Sequence, residues 1–337
     1  MPGLLSQTQP VKSAPMSCAK IDPALHLAKK PDWIKVRLPS NPVFFSTKAL
    51  ISDLRLHTVC EEAQCPNRWE CWSAGTATFM IAGERCTRAC GFCAVTTAKP
   101  FALEADEPER VAQAVTRMRL KHVVVTAVAR DDLRDGGAEH FARTIEAIRA
   151  AQPGITIEVL TPDFHAKDEC LRLVAAARPH IFNHNVETVE RLTPLVRSRA
   201  KYRLSLAVLR RMKEIAPDIV TKSGLMLGLG ETEPEIFQTM DDLREAGVQV
   251  LTMGQYLRPT AQHLPVLEYV HPDTFALYKT VAEKKGFEHV ASGPLVRSSY
   301  HAADFQPVKE RESGGSAQCS EVSGQVPNQA SNLETDH

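Results

Sequence analysis

The chain lacks long hydrophobic runs and net charge, and each absence excludes something. None of its 337 residues lies in an apolar stretch approaching the roughly 20 residues that a membrane-spanning helix requires; the longest runs are strand-sized, such as Val123 to Val128. Lys plus Arg number 40, against 40 Asp plus Glu. A formal charge of zero removes the broad attraction used in non-specific binding to nucleic acid or to anionic membranes, so neither is expected as a partner. The first thirty-five residues have no signal-type apolar core and no Arg, and they carry Pro2, Pro10, Pro15 and Pro23. That pattern suits a flexible tail over residues 1–31 better than a targeting address, and a cytoplasmic location is the expectation. Residues 306–337 are rich in Ser, Gly, Gln, Asn and Glu with almost no aliphatic content. Such a segment cannot offset its own ordering entropy, so a disordered C-terminal tail is expected.

What is present is a strong α/β alternation. Apolar strand-like runs at Thr78–Ile81, His122–Val128, Ile155–Leu160, His180–Asn183, Val220–Leu227 and Val248–Gln255 are separated by segments with helical spacing of apolar residues. Those helical segments are Pro108–Met118, Ala138–Ala150, Asp168–Ala177, Lys201–Ile215, Pro234–Ala246 and Asp273–Lys285. Six βα units fall short of a full eight-unit barrel, which leaves an open partial barrel or a doubly wound sheet. Residues 32–75 show no clear periodicity but hold Trp33, Trp69, Trp72 and three cysteines. They read as a small extension packed on the barrel of residues 76–305 and organised by a cofactor.

Cysteine placement carries the chemistry. Of nine cysteines, six lie between Cys60 and Cys93 in two triplets, while Cys18, Cys170 and Cys319 stand alone. Cys170 sits in an apolar helical run and reads as a core side chain. In a reducing compartment a cluster of thiols points to metal or redox chemistry before disulfides. Cys60, Cys65 and Cys71 are spaced by four and five residues; Cys86, Cys90 and Cys93 by three and two. Three soft ligands from one short loop suit an iron-sulfur cube with one iron left open, so two clusters are expected. Zinc is the alternative, but a closed zinc site needs four ligands and neither triplet supplies a local fourth. A two-cluster electron carrier is a further reading, although such carriers do not need a barrel of this size. The second triplet directly follows the first candidate strand, which places it in the first βα loop, on the catalytic face of a barrel.

CxxxCxxC with Phe92 before the last cysteine, in the setting of a partial βα barrel, resembles the radical S-adenosylmethionine superfamily. Adding the Cys60–Cys71 motif and Arg297-Ser298-Ser299-Tyr300-His301-Ala302, the chain resembles the lipoyl synthase family over roughly residues 32–305. An enzyme of biotin synthase type would lack the Cys60–Cys71 motif. The resemblance implies a partial (βα)6 TIM-like barrel with an N-terminal cluster-binding extension. It implies radical insertion of two sulfur atoms at C6 and C8 of an octanoyl chain on a lysine of a lipoyl carrier domain. Cys86, Cys90 and Cys93 would hold the [4Fe-4S] cluster that binds S-adenosylmethionine and splits it to a 5′-deoxyadenosyl radical. Cys60, Cys65, Cys71 and Ser298 would hold an auxiliary [4Fe-4S] cluster that is the sulfur donor. Implied partners are octanoylated carriers (2-oxoacid dehydrogenase E2 subunits and the glycine cleavage H protein), an electron donor such as flavodoxin or ferredoxin, and an iron-sulfur carrier. Positions at strand ends make Asp132, near Gly136-Gly137, and Asn185 and Glu187 candidates for S-adenosylmethionine contacts, with Gly228–Glu231 as a further turn. His184, His263 and His301 read as satisfied or surface histidines rather than ligands.

Overall fold

Parallel strands covered on both faces read as unbroken apolar runs, and these runs become strands close to the expected ends. The computed structural model describes residues 30–35, 42–63, 65, 67–73 and 77–299; nearly all of both expected tails, with Cys18, Cys319 and Tyr300–Ala302, lies outside them. Ahead of the barrel stand helix α1 (Pro42–Asp53), strand β1 (His57–Thr58) and short helices α2 (Val59–Glu62) and α3 (Arg68–Ser73). Then come β2 (Thr78–Ile81) and a two-stranded ribbon of β3 (Arg85–Cys86) and β4 (Thr96–Thr97). The remainder alternates: α4 (Glu107–Met118), β5 (His122–Ala127), α5 (Ala138–Ala151), β6 (Thr156–Leu160), α6 (Asp168–Ala176) and β7 (Ile181–Asn183). It continues through α7 (Thr193–Val196), α8 (Tyr202–Ile215), β8 (Val220–Leu227), α9 (Glu233–Glu245), β9 (Val250–Gln255), α10 (Pro272–Lys284) and β10 (His289–Gly293).

The main sheet runs β1-β2-β5-β6-β7-β8-β9-β10, parallel throughout except for antiparallel β1 on β2. A doubly wound sheet reverses its order at a switch point. Here the order follows the chain without reversal, so the sheet rolls in one sense into an open barrel. Among the described residues β1 and β10 do not pair with each other. Strand β10, absent from the sequence reading, adds a seventh parallel strand after the six βα units.

The extension is helical where no periodicity was expected. The inner face of α1 is Phe44, Thr47 and Ile51, a stripe interrupted by a threonine whose hydroxyl donates to the Trp72 carbonyl at 3.4 Å. Phe44 stacks on Trp69 and Trp72, with ring centroids at 4.5 and 5.2 Å. These side chains join Phe79, Val125 and Phe141 in one hydrophobic cluster, so the extension shares its core with the first half of the barrel. Trp33 departs from that group and packs edge-on against His271 at 5.0 Å. Cys170 is fully buried in the core, as read from the sequence.

Two features set the barrel interior. Lys222 donates to both oxygens of the fully buried Glu158, at 2.8 and 3.1 Å, and Asn183 donates to the same carboxylate at 3.1 Å. Glu158 alternates with Leu160, and Lys222 with Gly224, so by the two-residue strand period this ion pair shares the face that lines the cavity described below. Burial alone would raise the Glu158 carboxyl, but the Lys222 charge overcomes it and holds the group below its ordinary value. At the other end, the segment after β10 folds back over β9: Gln255 N donates to Pro294 O and Val296 N to Gly293 O. It can do so because position 254 is glycine; a β-carbon there would lie 2.0 Å from the Val296 carbonyl oxygen. Gly254→Ala should therefore cost about 1–3 kcal/mol through overpacking. Gly293→Ala, whose nearest neighbour would be Val296 Cγ2 at 3.5 Å, should stay within about 0.5 kcal/mol. Urea unfolding of the two variants beside the parent checks the contrast.

Candidate active site

The strands end, at their C-terminal edges, on a cavity of about 550 Å³. Its walls come from the exits of β5 to β9, from the loop 86–95, from Cys60 and Cys65, and from Val296–Ser299. The cavity brings together Cys60, Cys65, Cys86, Cys90, Cys93, Asn185, Glu187 and Ser298 from positions spread over most of the chain. Cys71 is not on its surface: it is half-buried in α3, its amide donating to Asn67 O at 3.0 Å.

The loop carrying Cys86, Cys90 and Cys93 is held from three sides. Thr87 donates from both its amide and its hydroxyl to Ala129 O, after β5. Gly91 N donates to Val196 O and its carbonyl accepts from Leu264 N, both at 2.9 Å. His263 Nε2 donates to Cys93 O at 3.0 Å while its Nδ1 accepts from the Thr260 hydroxyl at 2.8 Å, so this histidine is satisfied, as expected. The strongest tie is Arg88, inside the triplet. Its guanidinium forks onto Asp131 (2.7–3.2 Å) after β5 and onto Asp163 (2.6 and 2.8 Å) after β6. Burial alone would raise the Asp163 carboxyl, but Arg88 overcomes that and holds it well below the usual range. Breaking such a buried pair by removing one partner costs about 3–5 kcal/mol, because the other charge is stranded. Arg88 and Asp131 were not anticipated from the sequence.

Asp132, the neighbouring carboxylate that was anticipated, is drawn away from the cavity. Arg130 takes both of its oxygens, at 2.9 and 2.8 Å. Asn185 and Glu187 do face the cavity. Asn185 Nδ2 donates to Glu187 Oε1 at 3.1 Å, which leaves the buried Asn185 Oδ1 without a donor. Gly224 makes room for that side chain, since a β-carbon there would stand 2.8 Å from Asn185 Oδ1. Glu187 adopts a left-handed backbone (φ 67°), uncommon outside glycine and concentrated at functional sites. Burial raises its carboxyl, with the Arg197 charge partly opposing. Arg197 itself is buried, lines the cavity and donates to the Val186 carbonyl and the Ser205 hydroxyl. The turn at Gly228–Glu231 is occupied internally: Glu231 accepts from the amides of Gly228 and Leu229.

The thiols themselves are tuned by desolvation. Burial pushes Cys93 up to about 12 and Cys60 up to about 11, and raises Cys65 and Cys90 as well. Such groups stay protonated at neutral pH unless a cation takes the proton's place, as iron does. The buried Trp72 indole nitrogen, in the same segment, has no acceptor. Among the described residues no three His, Cys, Asp or Glu side chains converge on a point that would chelate one ion. Three soft donors in each triplet fit iron-sulfur clusters.

Residues 80–243 match the family model described as the Radical SAM superfamily, and residues 16–65 match the N-terminal domain of lipoyl synthase. The chain is 58% identical over 275 residues to the lipoyl synthase of Shouchella clausii, covering 81% of this chain and 89% of that one. It is 59% identical to that of Geobacillus kaustophilus, covering 81% and 92%. Among solved structures it is similar in fold to SuiB of Streptococcus suis in complex with its precursor peptide. That likeness has a TM-score of 0.51 at 11% identity, over 80% of this chain and 58% of the other.

One group on the cavity wall makes stability depend on pH. His184 is buried, with Nδ1 donating to Thr161 O at 2.9 Å and Nε2 accepting from the Ser205 hydroxyl at 3.0 Å. Burial, reinforced by the Arg197 charge, lowers its pKa from 6.5 to about 4. The folded protein therefore keeps His184 neutral where the unfolded chain protonates it. The associated stability is present above about 6.5 and lost as the pH falls toward about 4. Between pH 7 and pH 5 the parent should lose about 2 kcal/mol more than His184→Gln in urea unfolding. Equal losses would clear the histidine of this role.

Proposed function

The chain belongs to the lipoyl synthase family of radical S-adenosylmethionine enzymes, and from that premise we propose how its residues divide the work. The reaction places sulfur at C6 and C8 of an octanoyl chain on a lysine of a lipoyl carrier domain, with two [4Fe-4S] clusters and S-adenosylmethionine as cofactors. Unactivated C–H bonds offer no acidity for a side-chain base to exploit. When bound, the cofactors supply what side chains cannot, a radical that takes hydrogen from an alkyl chain and the sulfur that replaces it.

We assign Cys86, Cys90 and Cys93 to the cluster that receives S-adenosylmethionine, and Cys60, Cys65, Cys71 and Ser298 to the auxiliary cluster. The observation that carries this reading is that both triplets and Ser298 are borne on segments that meet at one cavity. Three thiolates on a loop anchored by Arg88 leave one iron position for an amino-acid chelate. Asn185 Oδ1, buried, and the half-buried Glu187 carboxylate, both at the cavity wall, would accept hydrogen bonds from that ligand's hydroxyl or ammonium groups. Asp132, held by Arg130, is left out of the assignment. Met80, Phe92, Val95, Val128 and Met226 give the cavity an apolar lining that excludes water and receives an alkyl chain. Ser298 would give the auxiliary cluster a hard oxygen ligand where iron prefers thiolate, and such a bond would be the weaker one.

In this division of labour, residues 32–75 bring the auxiliary cluster and residues 76–305 the radical-generating barrel. The finer partners follow from the same reading: E2 subunits of 2-oxoacid dehydrogenases and the glycine cleavage H protein as carriers, flavodoxin or ferredoxin as electron donor, and an iron-sulfur carrier to rebuild the auxiliary cluster. We place the protein in the cytoplasm, where thiols stay reduced. Among the described residues no helix is long and apolar enough to cross a membrane.

Anaerobically reconstituted protein with S-adenosylmethionine, reductant and an octanoylated lipoyl domain should add two sulfurs to the carrier and release 5′-deoxyadenosine, both read by mass spectrometry. Cys60→Ala should keep deoxyadenosine release without sulfur transfer, whereas Cys86→Ala should abolish both. Deoxyadenosine with an unchanged carrier in the parent would reject the substrate. Zinc in place of iron and acid-labile sulfide would reject the clusters. Ser298→Cys should retain its iron yet fail to insert sulfur, and unchanged turnover would defeat the labile-ligand argument.

A further inference from the structure

Arg68 lies between Cys65 and Cys71, at the start of α3, and its surroundings are unusual for a half-buried cation. Arg88 is held by two carboxylates; among the described residues no carboxylate pairs with Arg68. Its guanidinium instead lies against two indole rings, 5.3 Å from the centroid of Trp69 and 5.8 Å from that of Trp72. Both rings are stacked on Phe44, so the cradle is rigid. Aromatic faces hold a cation without neutralising it, and its full charge remains available to whatever lies beside it. Arg68 Nε is buried with no acceptor in reach, a costly position if nothing completes it. The Arg68 amide donates to the Cys65 carbonyl at 3.2 Å, which ties the residue to the cysteine loop. The Trp72 indole N–H beside it is likewise buried without an acceptor.

We propose that Arg68 is a positioning residue of the auxiliary cluster: its Nε–H donates to a sulfur atom of that cluster, and its unneutralised charge offsets the cluster's negative charge. Trp69 and Trp72 hold the guanidinium in place. The inference rests on the assignment of Cys60, Cys65 and Cys71 to that cluster. It explains why an arginine whose charge is uncompensated by protein occurs inside the motif, and why the rings around it are tryptophans rather than aliphatic side chains. A lysine would carry the charge but not the planar group that lies on the rings, nor the Nε donor.

The test uses full-length protein in which Cys86, Cys90 and Cys93 are all replaced by Ala, so that only the auxiliary cluster can load. Into this parent Arg68→Met and Arg68→Lys are introduced. Iron and sulfide content, the rate of iron loss to a ferrous chelator and the cluster's reduction potential are then measured without any turnover. Arg68→Met should lose iron about 10- to 100-fold faster, the scale seen for outer-shell hydrogen bonds to metal ligands. Its potential should shift to more negative values, because a nearby cation favours the reduced cluster. Arg68→Lys should recover the potential but only part of the retention. Should the Met variant fail to fold, judged by the melting of the metal-free proteins, the Lys variant decides alone, and retention equal to the parent's would overturn the proposal. Unchanged iron loss and unchanged potential in a folded Arg68→Met would overturn it while leaving the cluster assignment standing. A triple-alanine parent that binds no iron would bring down the assignment and the proposal together.

Discussion

A sheet that rolls up without closing leaves two edges that no ladder joins, and the site depends on how those edges are tied. Here the ties are side-chain hydrogen bonds. Asn67 Nδ2 donates to Leu295 O at 2.6 Å, and the Thr78 hydroxyl donates to the Ser299 hydroxyl at 2.9 Å. Asn67 belongs to the auxiliary cysteine motif, Thr78 opens the first barrel strand, and Leu295 and Ser299 flank Ser298 in the return loop. The bonds that tie the seam are thus the bonds that bring Ser298 to the cavity carrying Cys60 and Cys65. Arg297 adds to this from the same loop: burial lowers its pKa, and its charge acts on Cys65.

On either side of the cavity the two cysteine motifs are stabilised differently. Around Cys86–Cys93 the charges are compensated within the protein, Arg88 by Asp131 and Asp163, so the loop is shaped before any cofactor arrives. Around Cys60 and Cys65 the cation within the motif, Arg68, is held by rings, and hydrogen-bond donors stand without acceptors. Beneath both, the Glu158–Lys222 pair keeps the barrel interior polar below the cavity.

The barrel was legible because its signals are local. Val220–Leu227 and Thr78–Ile81 form the strands expected from their apolar runs, and helix starts follow the proline-bearing first turns at Pro108, Pro234 and Pro272. The cysteine motifs were legible for the same reason, since each is read within a dozen residues. Helix α1 was not, because its apolar residues bunch at Val43–Phe45 and Ala49–Ile51 and its buried stripe passes through Thr47. Strand β10 was hidden by a composition of His, Val, Ala, Ser and Gly. Arg88 finds its carboxylates 43 and 75 residues away, and no spacing rule reaches that far. Asp132 shows the finest limit: sequence placed a carboxylate at the exit of β5, but which of two adjacent residues turns toward Arg88 was decided by Arg130, which claims the other.

The seam also orders the assembly of the molecule. Strands that follow one another along the chain can add to the sheet in turn, each closing a loop of modest length. The Asn67–Leu295 and Thr78–Ser299 bonds instead join residues separated by 228 and 221 positions. Loop closure over such spans carries the largest entropy cost in the fold, about 0.6 kcal/mol for every doubling of length, and is recovered only once the intervening strands stand. In a chain emerging from the ribosome, every residue of the Arg88 clamp, Asp131 and Asp163 included, is made well before residues 294–299 exist. The half of the site around Cys86–Cys93 needs only what precedes it, and the half that includes Ser298 waits for the last segment of the barrel to arrive.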